Sequence, residues 1–304
     1  MTDAFAAGDR YLLKDARLLE RRLFATCFLG QPAGLVVDAL RGYQNPDGGF
    51  GHALEPDTRC PASLPIYVEI AFRSLAVAAA TGQPVVAEGS AGRDMVLRAC
   101  DYLAAVADKA GVDGGVPPAF PVIESFPRAE HWTEWTYQPG LNPTAGLVGL
   151  LYQLGVDHPW RDSGTAYCWR QLEADGLPGD AHALVEVLAF LEQVPDQDRA
   201  VPYVDALAAH LPSVAMLHLD PDAEGYGLTP VDLAPDAGSR WRSLFGDKQI
   251  DVFLDRLVAG QQDDGGWPIT WEPPSTAAVC EWRGFVTLNV LRTLTSYGRL
   301  TSSA

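Results

Sequence analysis

Gln44-Asn45-Pro46-Asp47-Gly48-Gly49-Phe50-Gly51 is answered far down the chain by Gln261-Gln262-Asp263-Asp264-Gly265-Gly266-Trp267. Each copy follows an amphipathic segment and leads through a loop into an apolar one. Asp113-Gly114-Gly115 and Asp222-Ala223-Glu224-Gly225-Tyr226-Gly227 read as weaker copies. The turns fall near 47, 113, 175, 222 and 264, at intervals of roughly 40 to 65 residues, the spacing of a repeated helical hairpin. The glycine pairs permit positive φ and close backbone approach. The Asp and Gln side chains suit unpaired backbone groups at helix ends, and the aromatic can pack on a neighbouring unit. Local chemistry alone therefore gives these residues a structural role.

Outward from the turns, apolar residues recur at helical spacing. Leu12, Leu13, Leu18, Leu19 and Leu23 predict one first helix, and Leu35, Val36, Leu40 and Tyr43 a second. Further helices are predicted over 65–80, 95–106, 145–154, 160–172, 181–191, 204–211, 250–259 and 276–297. Asn142-Pro143-Thr144 reads as a helix start, and Asp180 as a cap. No run alternates as strands do. The pattern is outer helix, Asp-Gly turn, loop, inner helix. The strongest copies lie near both ends and both feed apolar helices, which suits closure better than an open array with polar caps.

The chain has 304 residues, 47% of them hydrophobic, and a net charge of −17. That is ample for a single large core. The acidic surface argues against nucleic acid as a partner. No segment approaches the ~20 apolar residues of a membrane span, and Met1 to Arg22 has no signal-peptide pattern. Cys27, Cys60, Cys100, Cys168 and Cys280 are scattered, as in a reduced cytoplasmic protein, and no pair has metal-ligand spacing. No cofactor and no metal are expected, and the residues specify no oligomeric state.

The segment from Leu40 to Gly51 resembles the repeat of squalene-hopene and oxidosqualene cyclases, and equally the Asp-Gly-Gly-Phe-Gly turn of protein prenyltransferase β subunits. Gln261 to Trp267 resembles it a second time. The resemblance spans nearly the whole chain. It implies an all-α fold, an (α/α) toroid of about five to six hairpins in one domain over 1–304, with inner helices around a central cavity. It does not extend to the chemistry. The Asp-x-Asp-Asp acid motif of triterpene cyclases is absent, since Asp220-Pro221-Asp222-Ala223 lacks its last Asp. The zinc-binding Asp-x-Cys and distant His of the prenyltransferases and the magnesium-binding Asp-Asp-x-x-Asp are absent too. The chain is too short for two toroids, so one is implied.

In such a fold the loops entering the inner helices rim the cavity, where ligands of helical proteins bind. The first rim loop carries His52, Glu55, Asp57 and Arg59. Its carboxylates become general acids if desolvation raises their pKa, or else cap the helix and pair with Arg59. The second is the long loop 117–138, with Phe120, Phe126, His131, Trp132, Glu134, Trp135 and Tyr137. Its aromatic faces suit an apolar ligand or a carbocation, or else pack as a lid. The third holds Trp271, Glu281, Trp282 and Arg283, where a charge on an inward helix requires a partner. Asp232 and Asp236 read mainly as rim structure.

Three functions remain open. The first is a terpene-cyclase-like enzyme that binds an isoprenoid or other small apolar substrate. Asp57 or Glu55, then Glu281 or Glu134, would supply the acid. His52, Arg59, Trp135, Tyr137, Trp271, Trp282 and Arg283 would hold the substrate. The second is a non-catalytic toroid that binds a small molecule or peptide. The third is a glycan-active enzyme using two rim carboxylates. Fold alone does not choose among them.

Overall fold

The computed structural model describes residues 3–300, with the side chains of Asp3, Glu134 and Trp135 outside the description. Its helices are α1 (Asp3–Asp15), α2 (Leu18–Leu29), α3 (Gly34–Arg41), α4 (Pro65–Ala79), α5 (Ala91–Ala110), α6 (Leu141–Gln153), α7 (Pro159–Asp175), α8 (Ala181–Gln193), α9 (Gln197–His210), α10 (Pro230–Leu233), α11 (Asp247–Ala259) and α12 (Thr276–Ser296). Among the described residues β structure is limited to isolated bridges, so the fold is all-α.

The helices sort into two layers by burial and contact. In α4 and α6 residues are buried around most of the circumference, as in helices packed on every side. Helix α2 packs on α4, α4 on α6, and α6 on α8, while α12 packs on α2. A second series runs α3 on α5 and α5 on α7, helices buried along one side only. Gly146 and Gly149 of α6 allow the close approach of α8. A Cβ on Gly149 would stand 2.5 Å from the Ala189 carbonyl oxygen.

The two strong repeat turns are built alike. Gln44 donates to the carbonyls of Gly48 and Met95, and Gln261 to those of Gly265 and Ala4. Asp47 accepts from the Gly49 N–H and Asp264 from the Gly266 N–H, both at 3.0 Å. Gly48 and Gly265 have φ of 90° and 93°, and a Cβ on either would lie 2.3 and 2.2 Å from the carbonyl oxygens of Arg98 and Ala7. Gly114 shares the feature, with φ of 83° and the Ser163 oxygen 2.2 Å away. The second glycine of each pair lies against a tyrosine ring four residues further along the same outer helix: Tyr102 on α5, Tyr167 on α7 and Tyr11 on α1. The first turn thus seats on α5, the second on α7, and the last on α1.

Several sequence expectations change. Gly176 and Gly225 also have positive φ, but nothing lies within 4 Å of a Cβ there, so these two turns have no outer-helix seat of that kind. The predicted first helix is two, α1 and α2. Arg17 is extended (φ −62°, ψ 162°), and its guanidinium pairs with Glu20 and donates to the Leu54 carbonyl. A tertiary contact there overrides continuous helical periodicity. In α6 Asn142 is non-helical, and regular helix begins at Pro143 as the sequence predicts. No helix among the described residues is long and apolar enough to cross a membrane.

Candidate functional site

The segments entering α4, α6, α8, α10 and α12 bring their polar residues together. At its centre is Gly51–Arg59. His52 and Ala53 both have positive φ, 59° and 60°, an uncommon conformation for side-chain-bearing residues and a mark of imposed geometry. The segment is then pinned from several sides. The Ala129 N–H donates to the Asp57 carbonyl and the Arg59 N–H to that of Pro127. Arg17 holds the Leu54 carbonyl, and the buried Tyr67 hydroxyl holds those of Thr58 and Cys60.

Two carboxylates emerge from this frame. Glu55 is 5% exposed and Asp57 3%. Burial and the neighbouring Asp57 charge hold the Glu55 carboxyl well above the usual carboxylate range, although the Asp57 and Thr58 N–H groups and Arg17 pull it down. Glu55 Oε2 makes no hydrogen bond within the protein. Burial pushes Asp57 up to about 6, against the pull of the Trp282 and Trp271 indole N–H groups. The Trp282 N–H bond to Asp57 Oδ1 is closed at 2.7 Å. Trp271 Nε1 is buried and reaches no partner at bonding geometry. The other Asp57 oxygen lies 3.8 Å from His131 Nε2. Burial, then the nearby His182, lowers the His131 imidazole below its ordinary value.

Aromatic rings extend from the acids in edge-to-face order. Phe285, Trp282, Trp271 and Tyr226 stand 5.4, 5.2 and 5.3 Å apart by successive centroids, at 85°, 80° and 75°. Beyond Tyr226 lies His182, whose Nε2 is 2.7 Å from the tyrosine hydroxyl. Asp180 caps α8 by accepting from the N–H groups of His182 and Ala183. Burial raises the Tyr226 phenol to about 12, and the charges of Asp232, Asp57, Asp180 and Glu55 add to it.

The residues expected from the sequence divide. Glu55, Asp57, Trp271 and Trp282 come together. Arg59 and Glu281 form an ion pair that ties the acid segment to α12. Arg59 thus pairs with Glu281, where the sequence suggested its own loop's carboxylates. His52 turns back to Asn45 Oδ1, and Tyr137 donates to Glu124. Arg283 binds Asp264, Gln262 and the Trp267 carbonyl and lies over the Tyr11 ring, so it is engaged in the last turn. The side chains of Glu134 and Trp135 lie outside the described residues. Nothing in sequence spacing marks His182, Tyr226 and His131 as neighbours. The available signal was two polar residues, Asp180 and His182, at the head of a largely apolar helix whose one buried charge, Glu186, pairs with Arg73. Among the described residues no group of three or more His, Cys, Asp or Glu is placed to hold a metal ion. Two clefts, of about 360 and 330 Å³, are lined by residues 32–38 with 83–92 and by residues of α6 and α7 with 194–199, away from these acids.

No family model matches the chain, and no curated protein matches it. It is similar in structure to a protein from Actinoplanes seen in a crystal structure, with 18% identity and a TM-score of 0.56 over 97% of this chain and 98% of that one. At that identity the likeness concerns the fold alone.

Proposed function

We propose that the helices pair as about five to six hairpins that close into an (α/α) toroid and that the converging loops form the active site of an acid-initiated enzyme. Asp57, backed by Glu55, is the proton donor. The substrate is an isoprenoid or other small apolar alkene lying along Trp282, Trp271 and Tyr226. Closure is supported by the last turn, which takes α1 as its seat with the contacts the first turn makes on α5.

The observation that carries the chemistry is the state of Asp57. A carboxyl raised to about 6 is protonated in roughly a tenth of molecules at pH 7, against roughly one in a thousand for an ordinary aspartate, which makes it a usable general acid whose share grows below pH 7. Its Oδ1 is fixed by Trp282, so the proton is directed to the other oxygen. Glu55, held well above the carboxylate range by burial and the Asp57 charge, discourages Asp57 ionisation only while itself charged; neutral, it is a second proton source. A cation formed beside these acids would face indole and phenol rings, whose electron-rich faces stabilise positive charge.

The test is turnover in D2O of farnesol, geranylgeraniol, their diphosphates and squalene, read by mass spectrometry. The wild type should add one deuterium at carbon, and Asp57→Asn, with its helical circular dichroism intact, should not. Binding without turnover, equal in both proteins, would replace this reading with a non-catalytic toroid. A second reading rests on Asp232, whose Oδ2 accepts from Thr229 in the cap of α10 and whose charge, like that of Asp57, acts on Tyr226. Two carboxylates on different elements suit glycoside hydrolysis, and release of reducing sugar from oligosaccharides would favour it.

A further inference from the structure

The side of the site away from Asp57 carries a second device. Asp180 Oδ1 lies 3.6 Å from His182 Nδ1 and also accepts the first free N–H groups of α8. A carboxylate at a helix N-terminus is stabilised as the anion and can only accept. Its charge, 3.6 Å from Nδ1 and so acting across space rather than through a closed hydrogen bond, favours the proton of the neutral imidazole on Nδ1. In the neutral ring Nε2 is then an acceptor, and the Tyr226 hydroxyl 2.7 Å away must donate to it. The two rings lie within 14° of parallel, which is compatible with a hydrogen bond in the imidazole plane. With its only proton committed to His182, the Tyr226 oxygen offers the site lone pairs alone. Tyr226 is 38% exposed, its ring meets Trp271, and the Asp57 charge acts on its phenol, so the ring adjoins the proposed acid.

We infer that Tyr226, His182 and Asp180 form a proton-accepting relay whose ligand is an O–H group, a water or a substrate hydroxyl, and that the enzyme adds this group across the alkene. The inference rests on the reading of Asp57 as the proton donor. Asp57 gives its proton to one alkene carbon and a cation forms on the next. The O–H oxygen attacks that carbon and a C–O bond forms. Its proton moves to the Tyr226 oxygen as the tyrosine proton moves to His182 Nε2. The imidazolium stands beside Asp180 until solvent returns the proton to Asp57. The sum is H–OR added to C=C, with no change of oxidation state and no other reactant. Tyr226 is the catalytic member, and His182 and Asp180 position and accept.

Two measurements test it. The first needs no substrate. In 15N-histidine-labelled protein at pH 7.5, His182, assigned by its loss in His182→Gln, should give the Nδ1–H tautomer, with Nε2 shifted by Tyr226→Phe. A proton on Nε2, or no response to Tyr226→Phe, overturns the relay. The second is the isoprenoid panel in H2(18)O and D2O. The wild type should form an oxygenated product carrying deuterium, with 18O where water is the nucleophile. Tyr226→Phe and His182→Gln should lower it at least tenfold while deuterated hydrocarbon accumulates. Unchanged product partition in both variants overturns the inference even where Asp57 is the acid. Product without deuterium, or no turnover of any panel member, removes the Asp57 reading and the addition reaction with it; the tautomer measurement still decides the relay.

Discussion

An aspartate that is 3% exposed and raised to about 6 costs the fold stability as it ionises. The Asp57 contribution to stability is fully present below its unfolded value near 3.8 and is lost as pH rises through about 6. At neutral pH the loss is roughly 2–3 kcal/mol, from ~1.4 kcal/mol per tenfold change in proton affinity. Asp57→Asn keeps an acceptor for the Trp282 N–H and removes the charge. It should raise the melting temperature at pH 7.5, and the gain should vanish near pH 4; thermal scans across that range check it. A variant equally destabilised at both pH values would show that the side chain's shape, rather than its charge, is what the fold feels. Trp282→Phe tests the partner. Losing the N–H that favours the charged form should raise the Asp57 carboxyl further, read as a higher midpoint in a 13C carboxyl titration. The acids were legible in the sequence because Glu55 and Asp57 follow a recognisable turn and precede an apolar helix. Their partners were not. Trp282 and Asp57 lie 225 positions apart, and Tyr226 and His182 lie 44 apart on different units.

The repeat turn joins sequence to architecture at the scale of the element. Its Asp, Gly and Gln residues were readable as local turn chemistry, and that reading is correct for the bonds within each turn. The seat is a different matter. A glycine of positive φ rests on a carbonyl, and the next glycine on a tyrosine four residues later, because i and i+4 share a helix face. Tyr11, Tyr102 and Tyr167 carried that signal in the sequence, but only the packing says which helix each turn meets. The seat also separates strain from crowding. Gly265→Ala places a Cβ 2.2 Å from the Ala7 oxygen at φ 93°, whereas Gly111, with φ 66°, has nothing within 4 Å. Gly111→Ala should cost about 1 kcal/mol from the left-handed backbone alone. Gly265→Ala and Gly48→Ala should cost roughly 3 kcal/mol or more, since backbone must shift as well. Urea unfolding measures both; equal costs would mean that the seat yields freely. The break at Ala16–Arg17 belongs to this scale too. Leucine periodicity runs through it, and only the ion pair with Glu20 and the bond to Leu54 explain why α1 and α2 part there, so that α2 supports the acid segment.

For the whole molecule the decisive contact is between the ends of the chain. Gln261 bonds the Ala4 carbonyl, Gly265 rests on Ala7, Arg283 lies over Tyr11, and α12 packs on both α1 and α2. An open array of hairpins frays from its terminal units, whose outer faces have one neighbour each. In the proposed closed ring there is no terminal unit, and α1 would open only by giving up contacts like those α5 makes with its own turn. Native-state hydrogen exchange should therefore find the buried-face amides of α1 and α12 exchanging with the same opening free energy as those of α6. Gln261→Ala should lower protection in α1 and α12 together, across 257 positions of sequence, while Gln44→Ala acts first on α5. Exchange of α1 well ahead of the rest, with α12 unaffected, would describe a terminal unit that frays and would sink the closed ring. The active-site reading depends on that outcome, because the acid segment from the first hairpin and Trp282 from the last share one site only while the two ends of the chain remain joined.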